Sequence, residues 1–221
     1  MEEIILTNRS LYNNDWATIL FLICTILLAV NRQLFYVQFN EFIKLPINDK
    51  YIKIYKEPEN LKTWFTVAMY IIQIISFSFL IQLALAYYGY TTKENPISYI
   101  RIITVLNFFI LSKFLFEKII SNTFDIQEFE EQFNLYKVYH RTYLGLLSLP
   151  LAAVLYYNDY NDLTIINTII IIFLIINLIS YLNGLRIYKK IIFSNFFYFI
   201  LYLCALEIAP YFFMYYFFTK S

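Results

Sequence analysis

Apolar residues along this chain gather into six runs parted by short polar breaks, and most of the charge lies in the breaks. The first run, Trp16 to Val30, follows Asn13-Asn14-Asp15, a helix-start signal. At about 15 residues it falls short of the ~20 that cross a hydrocarbon core. Leu11 and Tyr12 before it, and Leu34 to Val37 after it, lengthen it, which puts the first span at 12–32. Further spans follow at 64–88, 97–120, 138–157, 163–182 and 191–218. The pattern predicts an all-α fold, a polytopic transmembrane bundle of about six spans forming a single integral membrane domain over 1–221.

Two connections are too regular to be plain loops. In 33–63, Phe35, Phe39 and Phe42 recur at helical spacing until Pro46, and Tyr51-Ile52-Lys53-Ile54-Tyr55-Lys56 mixes apolar with basic residues. This amphipathic stretch suits a membrane surface or a packed extension of the bundle, and both readings stay open. In 121–137, Asp125, Glu128, Glu130 and Glu131 accompany Phe129, Phe133 and Tyr136 on one helical side. Within the spans, Gln73 and Gln82 are expected to face other helices, because amides facing lipid lack partners. Pro150 and Pro210 are expected to kink their helices by removing a backbone donor. Asn183-Gly184 reads as the cap of the fifth span. The two halves share no visible repeat.

Basic residues set the orientation. With six spans, thirteen lysines and arginines fall on one side and four (Arg9, Lys93, Arg101 and Lys220) on the other. Positive residues stay cytoplasmic, so both termini are expected on the periplasmic side of a bacterial inner membrane. The acidic start, Glu2-Glu3, and the lack of a small-residue cleavage site predict that the first run is retained as a helix.

Composition narrows the class. The chain is 60% hydrophobic and 15% charged, with a mean hydropathy of +0.57, well away from soluble domains. Its 23 Phe and 22 Tyr, beside abundant Ile, Asn and Lys, fit an AT-rich genome better than an aromatic binding box. A formal net charge of +1 argues against a nucleic-acid partner. Cys24 and Cys204 sit in apolar runs as small hydrophobes, and His140 is the only histidine, so no metal or cofactor is expected. No nucleophile elbow or phosphate-binding glycine loop is present, and Glu130-Glu131 lacks the histidines of a metalloprotease site. The expectation is a protein that is not an enzyme.

The polar exceptions inside the spans are the candidate sites. Glu207 lies deep in the last run, three residues before Pro210 and roughly ten, or ~15 Å, below its outer end. Arg101, near the outer start of the third span, can bend inward to meet it. The pair reads as a structural bond between helices, a protonatable transport site or a docking contact for a partner helix. Lys113 and Glu117 stand four apart on one face and can pair, or serve a proton relay. His140-Arg141 opens the fourth span as an interfacial anchor.

The chain resembles an uncharacterised family of small bacterial polytopic inner-membrane proteins, a domain of unknown function. Arg141-Thr142-Tyr143-Leu144-Gly145-Leu146-Leu147-Ser148-Leu149-Pro150-Leu151, Asn183-Gly184-Leu185-Arg186 and the stretch Phe197 to Pro210 carry that resemblance. It implies no activity. Scarce catalytic groups and abundant apolar helix surface favour an accessory or scaffold subunit, with membrane lipids and other integral membrane proteins as partners. Envelope protein export is one setting for such a subunit. The alternatives are a small transporter or channel using Glu207 and Arg101, and a lipid-modifying membrane enzyme.

Overall fold

The computed structural model describes residues 15–45, 50–55, 63–123, 127–158 and 163–187. Every regular element among them is helical: α1 (Asp15–Leu34), α2 (Tyr36–Ile43), α3 (Lys50–Ile54), α4 (Trp64–Tyr87), α5 (Pro96–Thr123), α6 (Gln127–Tyr157) and α7 (Leu163–Ile187). Helices α1, α4 and α5 are long and apolar enough to cross a membrane, and α7 adds a shorter apolar stretch, Asn167–Ser180. Six spans were expected from the runs; three helices meet that standard among the described residues. Helix α6 does not, because its first half carries Glu131, Lys137, His140 and Arg141. The last run, with Glu207 and Pro210, lies outside the described residues.

Local chemistry accounts for the helix ends. Tyr90 N–H donates to Leu85 O at 3.0 Å and Gly89 N–H to Ala86 O at 3.1 Å, closing α4 around Gly89 at φ 79. Glycine accepts that left-handed conformation without a Cβ penalty. Six residues after Gly89, Asn95 Oδ1 accepts from the backbone of Ile97 at 3.0 Å and Ser98 at 3.3 Å, capping α5, and Pro96 takes the first helical position. Gln82 Nε2 reaches across this turn to Asn95 O at 3.0 Å and Thr92 O at 3.3 Å.

Three boundaries differ from the pattern of runs. The acidic stretch and the fourth span join into one helix, α6, that passes through Pro150 without ending. Its first half has buried positions of its own, Phe133 and Tyr136, which pay for its continuation. Helix α7 runs past Asn183-Gly184 to Ile187 rather than stopping there. An internal glycine costs only ~1 kcal/mol relative to alanine, so it does not by itself end a helix. Finally, α2 follows α1 after the single turn residue Phe35, whose N–H still donates to Asn31 O at 3.0 Å.

Helix α4 is the hub, packing most extensively on α6 and also on α5 and α1. Its surroundings divide into two aromatic-rich clusters. One gathers Phe39, Phe42, Tyr51, Phe65, Met69 and Tyr139, so the 33–63 connection folds back onto its own bundle. Gln38 Nε2 donates to the Tyr51 hydroxyl at 3.2 Å, and the Tyr139 hydroxyl donates to Tyr55 O at 3.1 Å, tying α2 and α3 to α6. The other gathers Phe21, Cys24, Phe79, Tyr99, Leu155 and Tyr156, with Phe21 and Phe79 stacked at 4.4 Å.

Between the clusters the helices close to backbone contact. A Cβ on Gly145 would lie 2.6 Å from Gln73 Cα, so only glycine allows α6 to come this near. One turn on, the Ser76 and Ser148 hydroxyls bond each other at 2.5 Å, and Ser148 also donates to Gly145 O at 2.8 Å. Small residues at a helix crossing permit this approach, and the dispersion contacts it brings hold the pair.

Candidate functional site

Helix α5 sorts its residues in reverse of a water-facing helix. Its buried residues are Tyr99 and Ile102 near the start, then Lys113, Glu117 and Ser121. Phe108, Leu111, Leu115 and Ile119 occupy the opposite, exposed side. Residues three and four apart share a helix face, which is why Lys113, Glu117 and Ser121 fall in one line.

That line meets the first half of α6. Lys137 Nζ donates to Glu117 Oε1 at 2.8 Å, with side-chain exposures of 8% and 2%, so the ion pair is sealed from solvent. The ammonium also sits 5.0 Å from the centroid of the Phe133 ring. Asn134 is buried beside it in sequence, and Ser121 donates to Lys118 O at 3.0 Å. Further along α6, His140 stacks on Tyr136 at 4.1 Å and places Nδ1 3.1 Å from Tyr136 O. On the α4 side, the Tyr70 hydroxyl donates to Asn107 Oδ1 of α5 at 3.0 Å. Together these residues form a polar seam along the junction of α4, α5 and α6.

Removing two charges from water costs several kcal/mol per ion, which the mutual attraction of the pair offsets only with good geometry. The seam therefore contributes more to register than to net stability. Glu117 can reach Lys137 at one relative position of α5 and α6 and not one turn away, ~5.4 Å along the axis.

The predicted site residues separate. Lys113 and Glu117 are both buried on one face of α5, and the structure adds Lys137 of α6 to them. Lys137 ends the amphipathic 121–137 connection, and its spacing of four from Phe133 is the signal that places it on the buried side. Arg101 is exposed on the far side of α5 from this line. Pro150 stands on the exposed side of α6. Glu207 and Pro210 lie outside the described residues. Gln73 faces α6 at Gly145 and Gln82 faces the α4–α5 turn, each with one amide atom lacking a partner: Nε2 of Gln73 and Oε1 of Gln82. Among the described residues no three His, Cys, Asp or Glu side chains converge as metal ligands.

Fold and seam define an all-helical protein with membrane-length apolar helices and a charged interior line. The chain belongs to the family described as Domain of unknown function (DUF4271), which matches residues 17–218. No curated protein and no solved structure matches it.

Proposed function

We propose that this is a multi-pass protein of the bacterial inner membrane that acts as a non-enzymatic accessory or scaffold subunit of a membrane protein complex. The observation that carries the membrane reading is the reversed helix α5, with Lys113 and Glu117 inside and Leu111, Leu115 and Ile119 outside. Exposing such a face to water forgoes roughly 25 cal/mol per Å² of apolar surface, whereas lipid accepts it. The exposed apolar residues of α7, among them Ile171, Ile172, Leu174, Ile175, Leu178 and Ile179, support the same reading. The subunit role rests on apolar helix surface in excess of what one bundle buries, and envelope protein export is the first setting to try. Lipids and other integral membrane proteins are the partners.

Purification in mild detergent followed by mass spectrometry of co-purifying proteins tests this. A stoichiometric membrane partner is the expected result. A solitary protein that moves a solute across vesicles, and stops doing so on Glu207→Gln, overturns it.

One observation favours the second reading, a small transporter or channel. An ionisable residue buried in a membrane-length helix is a functional-site candidate by default, and Glu117 of α5, paired with Lys137 of α6, is one. Arg101 and Glu207 belong to that reading as its outer charged site. Flux in vesicles that depends on Glu117 as well as Glu207 is its expected signature.

A further inference from the structure

Among the described residues, exposed tyrosine and tryptophan side chains occur at two levels. Tyr88, Tyr90 and Tyr157 stand where α4 and α6 end, and Tyr36 and Trp64 stand where α4 begins. Helix α4, 24 residues or ~36 Å long, separates the two levels. That length covers a hydrocarbon core and reaches the polar layer on each side, where aromatic belts gather. The chain turns at the Trp64 level. Asn31 of α1 donates through Nδ2 to Phe65 O at 3.2 Å. Continued straight at ~1.5 Å per residue, α1 would carry Phe42 ~16 Å beyond that point. Instead the rings of Phe35 and Phe42 stand 6.0 and 5.7 Å from the Phe65 ring. The break is at Phe35, whose φ -120 and ψ 46 leave the helical region. Helix α2 therefore runs across the start of α4, in the plane of any membrane that α4 crosses.

One side of α2 packs on the bundle through Gln38, Phe39 and Phe42. The remainder is sorted. Tyr36 and Ile43 stand two turns apart on one line, 60% and 45% exposed, and Glu41 falls on the opposite edge with Lys44 4.0 Å from it. The exposed apolar line of α1 (Ile23, Ile26, Val30 and Leu34) ends at this element, and Arg32 is exposed beside it. We propose that α2 is an in-plane anchor on the phospholipid leaflet at this end of the bundle. Tyr36 and Ile43 meet acyl chains, and Arg32 and Lys44 reach the headgroup phosphates. Helices of this kind bury their apolar side ~5–10 Å into the boundary between headgroups and acyl chains. The depth agrees with α5. Gln73 meets Gly145 and Ser76 meets Ser148, a constant offset of 72, so α4 and α6 run parallel and Lys137 is level with Phe65. The 2.8 Å bond from Lys137 to Glu117 joins that level to the stretch of α5 whose exposed side carries Leu111, Leu115 and Ile119. Acyl chains at α2 and at this side of α5 are thus one continuous layer. The inference rests on the membrane reading and is independent of the scaffold role.

The test uses the full-length protein, with Cys24 and Cys204 replaced by alanine, in phospholipid nanodiscs. Spin labels are attached singly through Tyr36→Cys, Ile43→Cys, Lys44→Cys and Leu115→Cys. Collisions with oxygen, which enters acyl chains, and with a nickel chelate, which stays in water, are read as depth. Labels at Tyr36 and Ile43 are expected ~5–10 Å inside the phosphates, and the label at Lys44 at the phosphates or in water. Leu115 reports the membrane reading separately. Nickel reaching Tyr36 and Ile43 while Leu115 meets oxygen alone overturns the anchor and leaves the membrane reading standing. Nickel reaching Leu115 as well overturns both. Tyr36 and Ile43 closed to both reagents place a protein over α2, which also overturns the lipid assignment. Both positions are exposed, and either label suffices where the other variant fails to fold.

Discussion

Two positions carry more constraint than their size implies. At Gly145 the next helix is present as backbone: Gln73 Cα lies 2.6 Å from where a Cβ would stand. A methyl group there cannot be absorbed by rotating a side chain, so Gly145→Ala must separate α4 from α6. Overpacking of this kind costs ~1–3 kcal/mol, and reversible unfolding of the purified protein in SDS should show a matching drop in midpoint. An unchanged midpoint would mean that the helices stand further apart than described. The Glu117–Lys137 bond makes the opposite demand, for charge instead of volume. Glu117→Gln alone leaves Lys137 buried without its partner on α5, a loss of ~3–5 kcal/mol by analogy with other broken buried pairs. Adding Lys137→Met removes the stranded charge, so the double variant should recover much of that loss. A double-mutant cycle measures the coupling, and strict additivity of the two losses would show that the pair does not act as one.

At the scale of elements, the connection joining the first two long helices is part of the core rather than a strap lying over it. Tyr51 of α3 is fully buried between Phe42 and Tyr139. Burial pushes its phenol far above the ordinary value, and nearby Tyr139 adds to the effect. The raised folded value fixes the sign. Tyr51 contributes stability while both states are protonated, and that contribution drains away as pH rises past ~10, where the unfolded phenol ionises. Unfolding midpoints should therefore fall above that pH, and fall less steeply in Tyr51→Phe; identical alkaline slopes would remove Tyr51 as the cause. Much of this element was legible beforehand, since the spacing of Phe35, Phe39 and Phe42 announces a one-sided helix. Which surface that side meets was not, because lipid and a neighbouring helix present the same apolar demand. The continuity of α6 was hidden for a related reason. A window of hydropathy registers where Lys137 and Arg141 interrupt an apolar run, while helix continuity depends on Phe133 and Tyr136 finding a buried partner surface. Lys137 was not legible as a partner of Glu117 from its charge, and only its interval from Phe133 points inward.

For the whole molecule, helix directions make the membrane reading testable without knowing a partner. Parallel α4 and α6, with α5 between them in sequence, place the Gly89–Asn95 turn at one end of the bundle and the α2–α3 connection at the other. The α2–α3 side holds the larger share of lysine and arginine, so the proposed membrane reading predicts that it faces the cytoplasm and the turn the outside. Cysteines introduced into a variant with Cys24 and Cys204 replaced by alanine can report this in intact cells. Tyr90→Cys, in the turn and 74% exposed, should react with a membrane-impermeant maleimide added from outside. Lys44→Cys, also exposed, should react only after the inner membrane is opened. Leu115→Cys, on the apolar side of α5, should resist the reagent in both conditions, because thiolate chemistry needs water as well as access. Ready labelling at Leu115 would place that face in an aqueous setting. The argument from reversed sorting on α5 would then fail, and with it the basis for treating Lys113, Glu117 and Lys137 as an interior line. Protection at Leu115 with labelling from opposite sides at Tyr90 and Lys44 would instead fix one crossing, by α4, and put the apolar side of α5 in lipid, leaving the further crossings to the same method applied beyond position 90.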